Sequence, residues 1–389
     1  VGGTWYDNQY PGAACDVPSH FYCYSFEPNP DWSRKFSGQA EIQAYLERCA
    51  DKYGLKSHIR FGTEVAGASF DEAKGVWRVR TSNGEELVAN VLVSGVGQLN
   101  RPHVPDLPGL SDFEGVSFHS ARWQHAHDLT GKRVAVIGNG ASAIQFIPTV
   151  AKAAAKLTIF QRSANWVVPR GDYAYSESAK RRFRRYPWLL KLYRWYFYWQ
   201  LEKNFLAFGG NGRIARTFEK GARAWLEQSI PDTALREVLT PDYRVGCKRI
   251  LIDDDFYPAL ARPNVSVTTA EISRITRDAI ETKDGVSHPV DAIILATGFE
   301  TTTFLAPMSI EGLGGVKLEE VWRPGAEAHL GLCVSGFPNF FMMYGPNTNL
   351  GHNSIIFMIE AQVRYTVQCI QALAARGLRY LDVRSDVQQ

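Results

Sequence analysis

Three small residues near position 140 have the spacing of a phosphate-binding turn. Gly138, Gly140 and Ala143 form the pattern G-x-G-x-x-A, which directly follows an apolar strand-like run and precedes an alanine-rich helix-like segment. The first glycine of such a turn allows a tight bend, the second lets a pyrophosphate approach the backbone, and the small third residue permits close helix–strand packing. A tight turn without a ligand is the alternative. The residues predicted to hold a dinucleotide on the helix N-terminus are Gly138, Asn139, Gly140, Ala141, Ser142 and Ala143.

The end of the next predicted strand indicates which dinucleotide this is. An NAD or FAD site places a carboxylate there to accept a hydrogen bond from the ribose 2′-hydroxyl, whereas this chain has Gln161-Arg162-Ser163. A guanidinium suits a 2′-phosphate, and no carboxylate stands beside it to repel the phosphate. The segment therefore predicts an NADPH site with contacts from Gln161, Arg162 and Ser163. A solvated surface cation is the alternative interpretation of Arg162.

The six cysteines, at positions 15, 23, 49, 247, 333 and 369, indicate what the site is not. They form neither a Cys-x-x-Cys pair nor a metal-ligand spacing, so we predict no metal site and no disulfide-reductase chemistry. Scattered thiols of this kind are typical of a cytoplasmic protein.

Two longer patterns resemble the fingerprints of Baeyer–Villiger monooxygenases. The first runs from Gly2-Gly3-Thr4-Trp5 through Tyr10-Pro11-Gly12 to Asp16 and matches position for position. The second is F-x-G-x-x-x-H-x-x-x-W, from Phe113 to Trp123, and it departs from the family at Gln124, where Pro or Asp is usual. Segments 160–166, 246–251, 296–299 and 345–348 are also similar, so the resemblance covers nearly the whole chain.

The resemblance implies a flavoprotein that uses FAD and NADPH. Lys248 would join Arg162 and Ser163 at the 2′-phosphate of NADPH. His119 and Trp123 would lie at a linker that relays domain movement, and a structural role is favoured for His119 over a chemical one. The residues implied to contact FAD are Gly3, Thr4, Trp5, Asp16, Tyr22, Val65 and Asn347.

The same resemblance implies a catalytic pair, with Arg249 as the main catalytic residue and Asp16 as its orienting partner. In this chemistry NADPH reduces FAD, O₂ then forms a flavin C4a-peroxide, and the attack of that peroxide on a ketone yields an oxyanion that rearranges to an ester or lactone. A fixed guanidinium in a water-poor site can stabilise both anions. The alternative for Lys248-Arg249 is a salt bridge at a strand edge.

The elements that must position these residues indicate an α/β fold with two Rossmann-like dinucleotide-binding domains, for FAD and NADPH, and a helical insertion. Spacing predicts a helix over 38–53, strand-like runs over 59–61, 77–81 and 87–96, a hairpin turn at Asn83-Gly84 and a helix over 361–375. The predicted domains are a partial FAD-binding domain (1–97), a linker (98–130), an NADPH-binding domain (131–172 and 241–295), the insertion (173–240) and a return to the FAD-binding domain (296–389).

Composition narrows the function further. Lys and Arg (43) barely exceed Asp and Glu (40), which argues against a nucleic-acid partner.

Residues 186–206 are rich in Trp and Tyr but are interrupted by charged residues, so no transmembrane segment is predicted. We expect an amphipathic helix packed on the protein there, with a membrane-surface or partner-binding helix as the alternative.

FAD-binding folds of this type open with a strand, a G-x-G-x-x-G turn and a helix, whereas this chain has one such turn, at 138. We therefore expect a fragment that lacks this opening and a C-terminal segment, and that retains flavin weakly; a stoichiometric flavin spectrum would contradict this.

The expected substrates are O₂ and a small-molecule ketone or heteroatom compound. The alternatives are an N- or S-oxidising flavin-containing monooxygenase, which the Gln124 departure supports, and a catalytically incompetent NADPH-binding fragment.

Overall fold

The computed structural model describes residues 1–208, 212–301 and 303–388, and the side chains of 206–208 lie outside the description. The strands of these residues are β1 (Val65–Asp71), β2 (Val76–Thr81), β3 (Glu86–Ala89), β4 (Leu92–Ser94), β5 (Val116–His119), β6 (Arg133–Ile137), β7 (Lys156–Phe160), β8 (Val167–Val168), β9 (Leu251–Ile252), β10 (Val265–Thr268), β11 (Ile272–Ile275), β12 (Ala279–Thr282), β13 (Ser287–Pro289), β14 (Ala292–Leu295), β15 (Ser309–Glu311) and β16 (Phe340–Met342). The α-helices are α1 (Thr4–Asp7), α2 (Gln39–Lys52), α3 (Ala141–Ala153), α4 (Glu177–Arg185), α5 (Pro187–Phe208), α6 (Gly212–Ser229), α7 (Thr233–Val238), α8 (Phe256–Leu260), α9 (Leu318–Val321), α10 (Ile355–Arg376) and α11 (Ser385–Gln388).

The first of two compact units is built on a five-stranded sheet in the order β10-β7-β6-β14-β5, in which every pairing is parallel. It consists of Val1–Cys49, Pro102–Gly298 and Gly351–Asn353. The central strands are continuous apolar runs and are buried, as expected for a parallel sheet covered on both faces. Helix α3 packs on this sheet through residues that include Ile144, Phe146 and Ile147.

The same unit contains the predicted helical insertion. Helices α4 to α7 occupy most of 173–240, so the prediction of a helical segment there is confirmed. None of the described helices is both long and apolar enough to cross a membrane.

The second unit consists of Ala50–Arg101, Phe299–Leu350 and the segment that starts at Ser354. Its largest sheet has the order β15-β1-β2-β3, with β15 parallel and the other neighbours antiparallel. The predicted hairpin at Asn83-Gly84 is present between β2 and β3, and Gly84 has the left-handed φ of 87° that such a turn requires. Trp77 is fully buried and donates its indole N–H to the Pro338 carbonyl over 2.8 Å.

The predicted α/β fold class is confirmed, and the predicted helices are present as α2 and α10, the latter starting earlier than expected. The prediction of a strand at residues 59–61 is wrong. Ile59 and Phe61 are exposed in a loop, so no sheet uses their apolar surface. The functional domain boundaries stay predictions.

A buried carboxyl group stands between β9 and α8. Asp253 is 7% exposed and accepts hydrogen bonds from the backbone N–H groups of Asp255 (2.8 Å) and Phe256 (2.7 Å). Burial raises the pKa of Asp253 from its usual 3.8 to about 6, although the two N–H groups and Arg170 oppose this shift.

The raised pKa predicts a specific dependence of stability on pH. The folded state binds the Asp253 proton more tightly than the unfolded state, so this contribution is fully present below about pH 4 and is lost as pH rises through 6. Asp253→Asn mimics the protonated form. The free energy of unfolding of the wild type, minus that of Asp253→Asn, should therefore fall by roughly 2–3 kcal/mol between pH 4 and 7 in denaturant titrations. A pH-independent difference would contradict the assigned shift.

Candidate active site

The turn between β6 and α3 has the shape of a phosphate cradle. Gly138 has a φ of 106°, and a side chain there would collide with the carbonyl oxygen of Ala296. A side chain at Gly140 would instead project into open space, and no described side chain caps the N-terminus of α3. The first backbone N–H groups of α3 are therefore available to an anion such as pyrophosphate.

A cavity of about 920 Å³ lies beside this turn, within the first unit. Its volume is in the range of roughly 300–1,000 Å³ that is usual for small-ligand sites. Ala141 and Ser142 are in the first turn of α3, and Ala143 is fully buried in it. The predicted cofactor residues that line the cavity are Gly138, Asn139, Gly140, Gln161, Arg162 and Ser163.

Two of these residues brace the turn with their side chains. The Asn139 amide donates to Gln161 Oε1 and to the Ser163 carbonyl, both over 2.9 Å. The Gln161 amide in turn donates to the Val238 carbonyl over 2.9 Å, and Gln161 is 3% exposed. These amides are thus engaged within the protein, and they fix the cavity wall.

The predicted 2′-phosphate residues form a cationic corner. Lys248 Nζ donates to Ser163 Oγ over 2.9 Å and lies 4.5 Å from the centroid of the Tyr243 ring. Arg162 is exposed and takes part in no ion pair among the described residues. The Ser163 hydroxyl, the Lys248 ammonium and the Arg162 guanidinium are hydrogen-bond donors that suit a phosphate monoester.

Sequence reasoning missed one charged pair on the same cavity wall. Lys283 Nζ lies 2.6 Å from Glu271 Oε1, and both residues line the cavity. The ammonium neutralises the Glu271 carboxylate, which would otherwise repel a phosphate. The pair joins positions far along the chain from the glycine turn, so no local pattern marked it.

The predicted catalytic pair is formed. Arg249 Nη2 donates to Asp16 Oδ2 over 2.9 Å, although 233 positions separate the two residues. The Asp16 side chain is 19% exposed and that of Arg249 is 55% exposed. Asp16 therefore orients the guanidinium from its protein side, and the exposed part of Arg249 can reach a ligand.

Two further side chains hold the other oxygen of Asp16, and sequence reasoning missed both. Gln145 Nε2 donates to Asp16 Oδ1 over 3.3 Å, and Arg170 Nη2 lies 3.7 Å from the same oxygen. Arg170 also donates to the Cys15 carbonyl over 2.6 Å, next to Asp16. A glutamine within the apolar segment Ile144–Ile147 was a usable signal for Gln145, whereas nothing local marked Arg170.

Gln145 also holds the loop that carries Asp16. Its Oε1 accepts hydrogen bonds from Tyr10 Oη (3.0 Å) and Ala14 N–H (3.3 Å), and its Nε2 donates to the Ala14 carbonyl (3.1 Å). Gly12 has a φ of 79°, and any side chain there would collide with the Gln145 carbonyl oxygen. Loop 10–16 therefore lies directly on α3, the helix whose N-terminus forms the phosphate cradle.

The residues predicted to contact flavin lie partly beside this loop. Trp5 Nε1 donates to Tyr22 Oη over 3.1 Å, and the two rings meet edge to face at 5.7 Å. Gly3 precedes Thr4 at the start of α1 with a φ of 53°, and a side chain at Gly3 would project into open space. A large planar ligand can approach the backbone closely there.

Two other predicted flavin residues belong to the second unit. Val65 is the first residue of β1, and Asn347 lies in a turn with a left-handed φ of 61°. Their cofactor contacts stay predictions.

The two linker residues have structural surroundings. His119 is 6% exposed, and its Nδ1 accepts the backbone N–H of Ala121 over 3.1 Å. Burial lowers the pKa of His119. Trp123 packs between Phe118 and Phe146 at ring distances of 5.1 and 5.2 Å. These contacts favour the structural interpretation of His119.

Comparison with known sequences identifies relatives along the chain. The sequence model of the flavin-binding monooxygenase-like family matches residues 10–321. A Pseudomonas aeruginosa protein named Baeyer-Villiger monooxygenase is 44% identical over 389 residues, which cover 100% of this chain and 74% of that protein. A Streptomyces coelicolor protein of the same name is 46% identical over 379 residues, covering 97% of this chain and 73% of that protein.

Solved structures of similar fold cover the whole chain. An oxidised steroid monooxygenase bound to NADP is 34% identical with a TM-score of 0.88, and the match covers 100% of this chain and 82% of that one. An open form of cyclohexanone monooxygenase is 28% identical with a TM-score of 0.90, and the match covers 100% of this chain and 83% of that one.

The cationic corner predicts a preference for NADPH over NADH. Arg162→Gln should raise KM for NADPH by about 10- to 100-fold and leave KM for NADH nearly unchanged, because hydrogen bonds to charged groups contribute about 1.5–3 kcal/mol each. Steady-state oxidation of both nucleotides tests this. Lys156→Gln, which removes an exposed cation at the other end of β7, is the matched control. An equal rise for both nucleotides would disprove a 2′-phosphate contact.

The Gln145 contacts predict that this residue positions the Arg249–Asp16 pair. Gln145→Leu removes the hydrogen bonds to Asp16 and loop 10–16, and a misplacement of about 1 Å at a reacting group costs on the order of 100-fold in rate. We expect kcat for oxygenated product to fall by this order, with the Kd for NADP⁺ changed less than about threefold. Gln368→Leu, at an exposed glutamine of α10, is the control. Equal losses in kcat and NADP⁺ affinity would indicate a general structural role instead.

Proposed function

Because the chain belongs to the flavin-binding monooxygenase-like family, we propose that it is an FAD-, NADPH- and O₂-dependent monooxygenase that inserts oxygen next to a ketone carbonyl and forms an ester or lactone. The predictions of this family and of a flavin-dependent monooxygenase are confirmed.

The residues present fit both cofactors. The open space beside Gly140 and the uncapped N-terminus of α3 suit the pyrophosphate of NADPH. Its 2′-phosphate would be held by Arg162, Ser163 and Lys248. The open space at Gly3 suits close approach of FAD, and Thr4, Trp5, Tyr22 and Asp16 would contact it within the first unit.

The chemistry that the two cofactors supply when bound is hydride delivery and activation of O₂ for transfer of one oxygen atom. Negative charge develops on the carbonyl oxygen of a ketone when its carbon is attacked. The Arg249 guanidinium stabilises that charge through N–H groups that make no hydrogen bond among the described residues. Its charge is permanent near neutral pH, so this stabilisation requires no proton transfer.

Asp16 keeps the guanidinium in one orientation. One carboxylate oxygen accepts from Arg249, and the other is held by Gln145 with Arg170 nearby. Rotation of the carboxylate would break contacts on both sides, so Arg249 is oriented before the substrate arrives. Such preorganisation avoids a reorganisation cost during the reaction.

The observation that most directly supports this function is the 2.9 Å contact between Arg249 and Asp16, on a loop that Gln145 joins to the phosphate-cradle helix. Oxidation of nitrogen or sulfur compounds is the second candidate, and the Gln124 departure favours it. Parallel assays with ketones and thioethers distinguish the two substrate classes.

We also propose a cytoplasmic location. The six cysteines are scattered along the chain, which supports this proposal.

Replacement of the catalytic cation tests the proposal. Arg249→Ala should lower the rate of ester formation by about 10²–10³-fold, the usual effect of losing one oxyanion donor. NADP⁺ should bind with nearly unchanged Kd, because the hydrogen bond that the Arg249 side chain makes among the described residues goes to Asp16 and not to the 2′-phosphate corner. Product is measured by gas chromatography, and NADP⁺ binding by calorimetry.

Arg262→Ala, at an exposed arginine beyond α8, is the matched control and should retain activity. Ester formation by Arg249→Ala at the rate of the control would show that Arg249 is not catalytic.

A further inference from the structure

Helix α5 is apolar on two opposite faces. Leu190 and Phe197, each 5% exposed, lie on the inner face. The outer face carries an aromatic stripe, defined as Trp188, Leu192, Trp195, Tyr196 and Trp199, whose members are 53–61% exposed. Their spacing of four, three, one and three residues places them on one side of the helix. An apolar helix face is normally covered by another part of a protein or by a partner, and the described residues do not cover the stripe.

The residue types of the stripe favour one kind of cover. Trp and Tyr are enriched where an apolar phase meets water, because their rings are apolar and each carries a polar group. Three tryptophans and a tyrosine exposed along one helix therefore match the headgroup level of a lipid bilayer better than a protein core.

The flank of the stripe is strongly basic. Residues 173–240 hold 13 lysines and arginines and 6 aspartates and glutamates, whereas the whole chain holds 43 and 40, so the chain's excess positive charge lies here. On α4, Arg184 pairs with Asp31 and Lys180 with Glu177. Arg181, Arg182 and Arg185 take part in no ion pair among the described residues and are available to an external anion.

A groove of about 400 Å³ joins the basic helix to the stripe. Its lining is mainly apolar and aromatic, with one guanidinium. The residues that line it include Arg182, Phe183, Leu189, Leu192, Tyr193 and Tyr196. A cation at the edge of an apolar groove suits a phosphate headgroup above an acyl chain.

We propose that the basic face of α4 and the aromatic stripe of α5 form a docking surface for anionic phospholipid bilayers. Stable attachment to a membrane surface generally needs two signals, an apolar element that enters the interface and a polybasic patch that attracts anionic lipid. Both signals are adjacent here. A symmetric contact with a second copy would bring two cationic α4 faces towards each other, so charge complementarity favours the lipid.

Vesicle co-sedimentation of the purified flavoprotein tests the proposal. We expect the wild type to pellet with vesicles of phosphatidylglycerol and phosphatidylcholine at low salt, and only weakly with phosphatidylcholine alone. The stripe variant Trp188→Ser/Trp195→Ser/Trp199→Ser should lose at least about tenfold in partitioning. Phe61→Ser/Val88→Ser, at residues 60% and 61% exposed in the second unit, is the matched control and should pellet like the wild type.

The basic patch is tested separately with Arg181→Gln/Arg182→Gln/Arg185→Gln. Each cation near an anionic surface contributes about fivefold, so the triple variant should bind anionic vesicles on the order of a hundredfold more weakly. Binding by the wild type should also fall as salt is raised.

Circular dichroism and the Kd for NADP⁺ verify that the variants fold. Failure of the wild type to pellet with anionic vesicles, or undiminished pelleting of the stripe variant, would overturn the proposal. So would light scattering that shows a wild-type dimer which the stripe variant dissociates, because the stripe would then be covered by a second copy.

Discussion

The Asp16 carboxylate lies between two guanidinium groups and a glutamine amide, and the geometry of the candidate active site depends on this arrangement. A partly buried carboxylate needs charged or hydrogen-bonding partners to offset the loss of water. Here one oxygen serves Arg249 and the other faces Gln145 and Arg170. Contacts on both oxygens restrict rotation of the carboxylate, so these side chains keep one another in place.

The helix that supplies Gln145 has two tasks along its length. Its N-terminus, after Gly140, presents backbone N–H groups to a phosphate, and one turn further on Gln145 holds the loop of Asp16. The cofactor cradle and the Arg249–Asp16 pair are therefore positioned by the same rigid element. A displacement of α3 would move both together, which keeps the cation in register with the proposed dinucleotide site.

Sequence patterns predicted those parts of the site whose requirements are local. Gly138 has a left-handed backbone conformation, Gly140 leaves open space where a side chain would project, and Arg162 follows the end of a strand, so a short window of sequence was sufficient to predict them. The pairing of Arg249 with Asp16 spans 233 positions and was predicted because of resemblance to a family. Gln145 and Arg170 depend on tertiary contacts with loop 10–16, and a short sequence pattern does not indicate such contacts.

The prediction of a strand at residues 59–61 failed for the same reason, because an alternating sequence forms a strand only where a partner strand is present.

The close approach of Gly12 to the Gln145 carbonyl also limits how enzymes of this type can be recombined. No atom larger than hydrogen fits between Gly12 Cα and the Gln145 carbonyl oxygen. The shape of the loop therefore matches the shape of this particular helix. A chimaera that takes the segment around Gly12 from one parent and α3 from another joins two backbones shaped against different partners. Crossover points between residues 16 and 141 separate this pair, whereas exchange of both segments together preserves it.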